Sequence, residues 1–118
     1  MLYTDTREYK GAMFVPSKPD QLLLRVDSDI ELRQMPGFNL IQSLNVSAYS
    51  ARLCNIDPAS MNLLYHQNDS LKVCKIDNFS KTLFKIRSDA RSTKMFNNKL
   101  LTYGASGIVF DITPYLSN

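Results

Sequence analysis

The sequence predicts a mainly β domain, with only a minor helical part. We expect a small antiparallel β-sandwich or partly open barrel with one or two short helices. Short stretches that alternate apolar and polar residues are separated by turn residues at intervals of roughly 8 to 12 residues, which is typical of such folds. The composition agrees, since 118 residues with 44% hydrophobic content and a net charge of +3 suit one globular domain. No internal repeat is visible in the sequence.

The first residues show neither the helical period nor the strand period. They include the large side chains Tyr3, Tyr9 and Phe14 among charged residues, and two prolines follow. We therefore predict an extended N-terminal arm over residues 1–21 and a single β-rich domain over residues 22–118. The arm either folds back on its own core or orders on a neighbouring subunit.

The next stretch predicts a β-hairpin. Residues 22–26 and 30–33 each alternate with a period of two, as a half-buried strand does. The intervening Asp-Ser-Asp at residues 27–29 has the composition of a tight turn. Pro36 and Gly37 end the second strand.

The middle of the chain predicts the two helices. Residues 38–53 fit one helical face and a strand equally well, and we expect a short helix followed by a strand over 50–56. Asp57 has the chemistry of a helix N-cap, and Pro58 suits the first helical position. These two residues predict a second short helix that ends near residues 66–69.

The C-terminal half predicts further strands. Residues 70–77 are apolar on both faces, which indicates a central strand, and residues 82–86 alternate. Asn97 and Asn98 predict a two-residue hairpin turn, because asparagine tolerates the positive φ that such turns need. The last strand is expected over residues 108–112.

Residues suited to catalysis or metal binding are scarce in the sequence. His66 is the single histidine, and no Gly-x-Ser-x-Gly motif or Cys-Gly nucleophile motif accompanies it. No group of Cys, His and carboxylate residues has metal-ligand spacing. The acidic residues Asp27, Asp29 and Glu31 alternate onto one outer face, where we expect them to be solvated. We therefore expect no enzyme activity, no catalytic residue, no metal and no cofactor.

The cysteines and the start of the chain bear on the compartment. Cys54 and Cys74 fit free thiols best, with a single disulfide between them as the alternative. The first residues are polar where a signal peptide would be apolar, and no apolar run is long enough to span a membrane. We expect synthesis and retention in the cytoplasm, without membrane insertion.

Charge is distributed unevenly along the chain. Residues 1–70 carry a net charge of −2 and residues 71–118 a net charge of +5. The basic residues of the second part all lie between residues 72 and 99 and are interleaved with three phenylalanines, as in proteins that bind single-stranded nucleic acid. That alternative function would use Lys81, Lys85, Arg87, Arg91 and Lys94. A solvated basic face explains the same pattern.

The last stretch resembles a known type of module. Residues 96–101 and 107–116, which include Phe-Asp-Ile-Thr-Pro-Tyr-Leu, resemble a segment of the jelly-roll sugar-binding domains appended to large glycosidases. The resemblance covers about 20 residues and implies a β-sandwich, with carbohydrate binding as a third function. Those domains are rich in tryptophan and continue past this point, whereas this chain has no tryptophan and stops at Asn118.

The function that these observations favour is assembly. We expect a non-enzymatic structural or adaptor subunit that contacts protein subunits of the same or a larger assembly and forms oligomers. A virion or phage component fits this description. Tyr3, Tyr9 and Phe14 are the predicted partner-binding anchors, because aromatic side chains dominate the binding energy of interfaces.

Overall fold

The computed structural model describes residues 7–46, 51–88, 92–103 and 108–116. These residues form strands and one short 3-10 turn (Thr113–Tyr115), so the predicted mainly β class is confirmed. The strands are β1 (Tyr9–Val15), β2 (Lys18–Val26), β3 (Asp29–Gln34), β4 (Asn39–Asn45), β5 (Arg52–Ile56), β6 (Asn62–Gln67), β7 (Ser70–Lys75), β8 (Asn78–Arg87), β9 (Ser92–Phe96), β10 (Lys99–Tyr103) and β11 (Ile108–Asp111).

The strands form three antiparallel sheets, each with its strands in chain order. Sheet A contains β1 to β4, sheet B contains β5 to β8, and sheet C contains β9 to β11. The first strands β1, β5 and β9 lie side by side, and β4 contacts β8. The chain thus repeats one meander three times, with the repeats starting at Tyr9, Arg52 and Ser92. This structural repeat is not visible in the sequence, and the described strands do not close into a barrel.

Two apolar layers hold the sheets face to face, with sheet B in the middle. The layer between sheets A and B contains Val15, Leu23, Ile30, Leu32, Leu63, Tyr65, Cys74 and Phe79, among others. The layer between sheets B and C contains Leu64, Leu71, Val73, Leu83, Met95, Leu100 and Ile112. Strand β7 contributes to both layers and lies between β6 and β8, as its two apolar faces predicted.

The predicted N-terminal arm is wrong over the residues that the structure describes. Residues 9–15 form β1, which pairs with β2, so the expected boundary after residue 21 falls inside a strand. Pro16 and Ser17 form the turn between the two strands, and Ser17 has a φ of 66°. A proline followed by a residue with positive φ is typical of a type II turn. Pro16 therefore connects two strands and Pro19 lies within β2, so neither proline marks an irregular arm.

Both predicted helices are also wrong. Residues 39–45 form β4, whose Leu44 side chain packs against the layer between sheets A and B. Asp57 does accept a hydrogen bond from the Ala59 N–H, as an N-cap would. The turn ends at Met61, whose φ of 62° is incompatible with a continuing right-handed helix, and β6 begins at the next residue.

The predicted hairpins are confirmed. Strands β2 and β3 pair around the turn at residues 27 and 28. Strands β9 and β10 pair around Asn97 and Asn98, whose φ angles are 50° and 61°. The asparagines adopt the left-handed conformation that a two-residue hairpin demands.

The jelly-roll fold implied by the local resemblance is not the fold of this segment. Residues 96–103 and 108–116 belong to a simple meander, with β10 between β9 and β11. A jelly roll requires Greek-key connections between two sheets. The similar residues form the same kind of hairpin and strand end within a different topology.

Side-chain hydrogen bonds of β5 and its turn fasten sheet C to sheet B. The Asn55 amide donates to the Met95 carbonyl at 2.7 Å and accepts from the Met95 N–H at 2.9 Å. The buried Asp57 carboxylate accepts from the N–H groups of Asn97 and Asn98 at 2.9 and 2.8 Å. The position of sheet C therefore depends on two side chains that reach its first hairpin.

The Asp57 carboxyl has a lowered pKa. Burial by itself would raise the pKa, but hydrogen bonds from the Asn98 N–H, the Ser60 hydroxyl and the N–H groups of Ala59 and Asn97 outweigh this effect. These bonds favour the charged form. Because the folded-state pKa is lower than the unfolded one, the stability from Asp57 is present above the unfolded pKa. It is lost as the pH falls through the folded pKa.

We predict that Asp57→Ala lowers the free energy of unfolding by roughly 2–4 kcal/mol at neutral pH, because several buried donors lose a charged acceptor. Asp57→Asn should cost less, since the amide oxygen still accepts. Urea denaturation at neutral pH and at acid pH measures both effects. The difference between wild type and Asp57→Ala should shrink in acid.

The matched control for this prediction is Asp77→Ala, which removes an exposed carboxylate from another hairpin turn of sheet B. We expect this change to leave the free energy of unfolding nearly unaltered. An Asp57→Ala variant as stable as the Asp77→Ala variant would contradict the assigned role of Asp57.

Candidate interaction surfaces

The two ends of the three-sheet stack present the large exposed faces of the molecule. Both faces of sheet B are covered, whereas sheets A and C each pack against sheet B on one side only. We call the uncovered sides the outer face of sheet A and the outer face of sheet C. Their composition differs, and the difference determines what each face can bind.

The centre of the outer face of sheet A is covered by an ion-pair cluster. Glu31 lies directly opposite Leu24 in the β2–β3 ladder, and both side chains are buried. The Glu31 carboxylate is 2.7 Å from an Arg7 guanidinium nitrogen and 3.0 Å from an Arg33 one. The expectation of solvated acidic residues on this face is wrong for Glu31. Instead, the guanidinium groups of two arginines neutralise the Glu31 carboxylate, which lies next to the buried Leu24.

Two aromatic rings hold these arginines in place. The Arg7 guanidinium lies 5.9 Å from the ring centroid of Tyr9, and that of Arg33 lies 4.9 Å from the centroid of Phe38. Both distances are within the range of cation–π attraction. The cluster of Arg7, Glu31 and Arg33 therefore forms an ordered polar cover on this end of the stack, which we call the arginine cap.

Beyond the arginine cap, one predicted anchor projects into solvent. Phe14 is 71% exposed and lies opposite Leu22 in the β1–β2 ladder. The same row continues across the sheet to Leu40, which is 49% exposed. Tyr9 is 40% exposed and contacts Arg7. Tyr3 lies outside the described residues, so the structure does not place the three anchors together.

The outer face of sheet C exposes several apolar side chains, with Lys94 directly opposite Leu101 in the β9–β10 ladder. The register of β9, β10 and β11 places every second residue on this face, with no shift in either ladder. Its exposed apolar side chains are Phe96 (64%), Leu101 (42%), Tyr103 (47%) and Val109 (67%). The sequence reasoning missed this face, although the run 99–103 has apolar residues at both parities, a pattern that indicates a strand covered on two sides.

The five basic residues proposed for nucleic-acid binding do not form one patch. Lys81, Lys85 and Arg87 lie on β8, where Arg87 pairs with the Asp69 carboxylate at 3.1 Å. Lys94 lies on β9 and donates to the Cys54 carbonyl of β5 at 2.8 Å. Strands β5 and β8 are the two edges of sheet B. Lys94, which contacts β5, is therefore separated from the basic residues on β8 by three strand spacings, about 14 Å. Arg91 lies outside the described residues.

The groups with catalytic chemistry are dispersed. His66 is buried in β6, and its Nε2 is 2.8 Å from the Ser88 carbonyl oxygen. Cys54 and Cys74 are free thiols, and burial raises the pKa of Cys74 to about 12, which disfavours the reactive thiolate. Within residues 7–46, 51–88, 92–103 and 108–116, no three His, Cys, Asp or Glu side chains converge as metal ligands.

Two clefts in the described surface are small. One is bordered by Ser60 and Lys75 and has a volume of about 160 Å³, and one between β5 and β9 has about 120 Å³. Sites for drug-sized ligands start at roughly 300 Å³. In the described ranges, no helix is long and apolar enough to cross a membrane.

Comparisons with known proteins identify a fold but no family. No protein-family model matches the chain, and no curated protein matches it. Among solved structures, it is similar to the crystal structure of Hsv2 from Kluyvelomyces marxianus, a β-propeller protein, with a TM-score of 0.61 and 14% identity. The match covers 94% of this chain and 38% of that one. The chain therefore spans less than half of the length of the propeller, and the three stacked meanders resemble successive propeller blades.

Proposed function

We propose that this chain is a non-enzymatic module that works through protein–protein contacts within a larger assembly. The observation that carries the proposal is the placement of the exposed apolar side chains at the two ends of the stack. Phe14 is 71% exposed at one end, and Val109 and Phe96 are 67% and 64% exposed at the other. Exposed apolar patches of this kind mark surfaces that bind other molecules.

The stacked architecture supports this proposal physically. In a stack of repeated units, each unit buries its apolar faces against its neighbours, and a terminal unit needs a polar outer face to stay soluble. The arginine cap provides such a cover on sheet A, and the outer face of sheet C has an apolar centre. The similarity to part of a β-propeller is in keeping with this, since propeller blades are packed on both sides.

The outer face of sheet A offers the anchor for a partner protein. Phe14 projects beside the half-buried Leu22, so an apolar ring stands next to an apolar floor, and the exposed Leu40 lies two strands beyond Leu22 in the same row. Arg33 lies in the same row and borders it with positive charge. Aromatic residues and arginine are the residue types enriched in protein interfaces. We therefore place the primary contact on Phe14, with Tyr9 and Tyr3 as additional anchors.

We predict that Phe14→Asp releases the protein from its assembly in cells, because a charged group replaces the exposed ring at the contact. Sedimentation of native cell extracts, with the tagged full chain followed by immunoblotting, measures the change. The wild-type protein should sediment well above its own mass of 13.5 kDa, and the variant should move towards it. Tyr3→Ala and Tyr9→Ala should give smaller shifts in the same direction.

The matched control for this prediction is Ile86→Asp, which places the same charge at a 40% exposed apolar position on the edge of sheet B. This variant should sediment like wild type. A wild-type chain that sediments as a single 13.5 kDa species would contradict the proposed function.

One observation favours nucleic-acid binding as a second candidate, in a narrower form. Lys85 lies directly opposite Lys72 in the β7–β8 ladder, and Lys81 lies on the same strand as Lys85. Like charges opposite each other destabilise a sheet, and a bound phosphate would relieve the repulsion. We do not propose the carbohydrate-binding alternative, because the segment that suggested it has a different topology.

If this second candidate holds, a labelled single-stranded oligonucleotide should bind with a log–log salt slope of about −2, as expected for two to three phosphates. Fluorescence anisotropy across a salt series measures the slope. Lys85→Ala should reduce it, and Lys94→Ala should leave it unchanged. An absence of binding at low salt would exclude this function.

A further inference from the structure

The two ends of the stack differ in a way that the proposed function does not explain. On sheet A, the arginine cap covers the buried Leu24. On sheet C, no comparable ion-pair cluster covers the centre of the outer face among the described residues. Phe96, Leu101, Tyr103 and Val109 there are each more than 40% exposed.

The positions that correspond to this face in sheets A and B are buried, whereas in sheet C they are exposed. Leu101 lies on the second strand of sheet C, on the side pointing away from the preceding sheet. Leu23 on the second strand of sheet A and Leu64 on that of sheet B have the same placement, and both are 0% exposed. In sheets A and B, a further sheet covers the leucine at this position. In sheet C, the equivalent Leu101 is exposed.

Charged residues of both signs lie on this face beside the apolar ones. Lys94 lies directly opposite Leu101 in the β9–β10 ladder, and its ammonium group donates to the Cys54 carbonyl of β5. Lys99 and Asp111 lie directly opposite each other in the β10–β11 ladder and on the same side as Leu101 and Val109. Hydrogen bonds from Thr113 and, to a smaller extent, the positive charge of Lys99 lower the pKa of the Asp111 carboxyl. An apolar centre bordered by a lysine and an aspartate is complementary to a copy of itself rotated by two-fold symmetry. That rotation places apolar side chains together and sets each lysine against the partner's aspartate.

The size of the face fits a weak, reversible dimer. Its four apolar side chains together expose on the order of 400 Å². With the polar rim, two such faces reach the lower end of specific protein interfaces, about 1,200 Å² in total. Closed two-fold dimers are also the commonest form of homo-oligomer.

We propose that the outer face of sheet C binds the same face of a second copy of this chain, forming a two-fold symmetric dimer. The proposal rests on the proposed function and names one partner within it. Leu101 and Val109 form the apolar centre of the contact. Lys99 of each copy pairs with Asp111 of the other, so each dimer contains two such pairs.

Sedimentation equilibrium of the purified full chain tests the dimer. The wild-type protein should show a concentration-dependent mass between one and two chains. Val109→Asp should weaken self-association by about tenfold or more, because it buries a charge in the apolar centre. The matched control is Ile86→Asp, which introduces the same charge at a 40% exposed apolar position on the edge of sheet B and should leave the dimer intact.

A charge-reversal experiment tests the two-fold arrangement itself. Lys99→Asp sets two carboxylates against each other in a homodimer, and Asp111→Lys sets two ammonium groups against each other, so each variant alone should be a weaker dimer. Mixing the two variants restores an opposite pair at both positions. The mixture should therefore form a heterodimer of wild-type strength, detectable by native mass spectrometry.

Three outcomes would overturn the dimer. The first is a purified wild-type chain that stays monomeric at high micromolar concentration. The second is a dimer that Ile86→Asp disrupts and Val109→Asp does not, and the third is a charge-reversal mixture no stronger than its components. A chain that is monomeric when pure and yet sediments in a large complex in cells would retain the proposed function and eliminate only this inference. Circular dichroism of each variant verifies that it is folded.

Discussion

The buried Asp57 carboxylate is the interaction on which the placement of sheet C depends. Asp57 follows the last residue of β5, and its carboxylate reaches the β9–β10 turn. There it accepts hydrogen bonds from two backbone N–H groups that have no partner in the strand ladder. Apolar layers between sheets are attractive but not directional, so they allow several relative positions. A charged acceptor that satisfies two defined donors, together with the Asn55 amide on Met95, selects one of them.

The junction between sheets A and B uses the same device with a neutral side chain. The Gln42 amide of β4 donates to the Ile76 carbonyl and accepts from the Phe79 N–H. At each junction, a polar side chain thus substitutes for a backbone ladder between sheets that do not share strands. The cost of burying these amides is offset because both their donors and their acceptors are satisfied. These hydrogen bonds consequently fix the relative position of neighbouring sheets, which the apolar layers alone would not do.

The two ends of the stack illustrate alternative ways to finish a repeated structure. On sheet A, a carboxylate shared by two arginines covers the buried Leu24, and cation–π contacts order the arginines. On sheet C, the apolar residues remain exposed, and Lys94, Lys99 and Asp111 lie beside them on the same face. On sheet A the arginine cap therefore leaves only the row beside it, which carries Phe14, for an apolar contact, whereas sheet C exposes apolar side chains on its middle and last strands. This asymmetry links the fold to an interaction role more directly than any single residue does.

Local sequence signals predicted the candidate surfaces only in part. The exposed Phe14 was predicted as an anchor because a large ring stood among polar residues, yet the same region was taken for an arm. The arginine cap was missed because Arg7 and Glu31 are 24 positions apart, and only strand pairing brings them together. The basic residues were grouped by proximity in the sequence, whereas the sheet order separates Lys94 from β8.

The sequence by itself determined the β class, the hairpins at residues 27–28 and 97–98, and the central position of β7. These features depend on side-chain alternation and on turn residues that act within a few positions. The tertiary structure decided that Asp57 would cap a turn and not a helix, that residues 9–15 would join a sheet, and that three meanders would stack. Those outcomes depend on contacts between residues far apart in the chain, whose energies no local pattern contains.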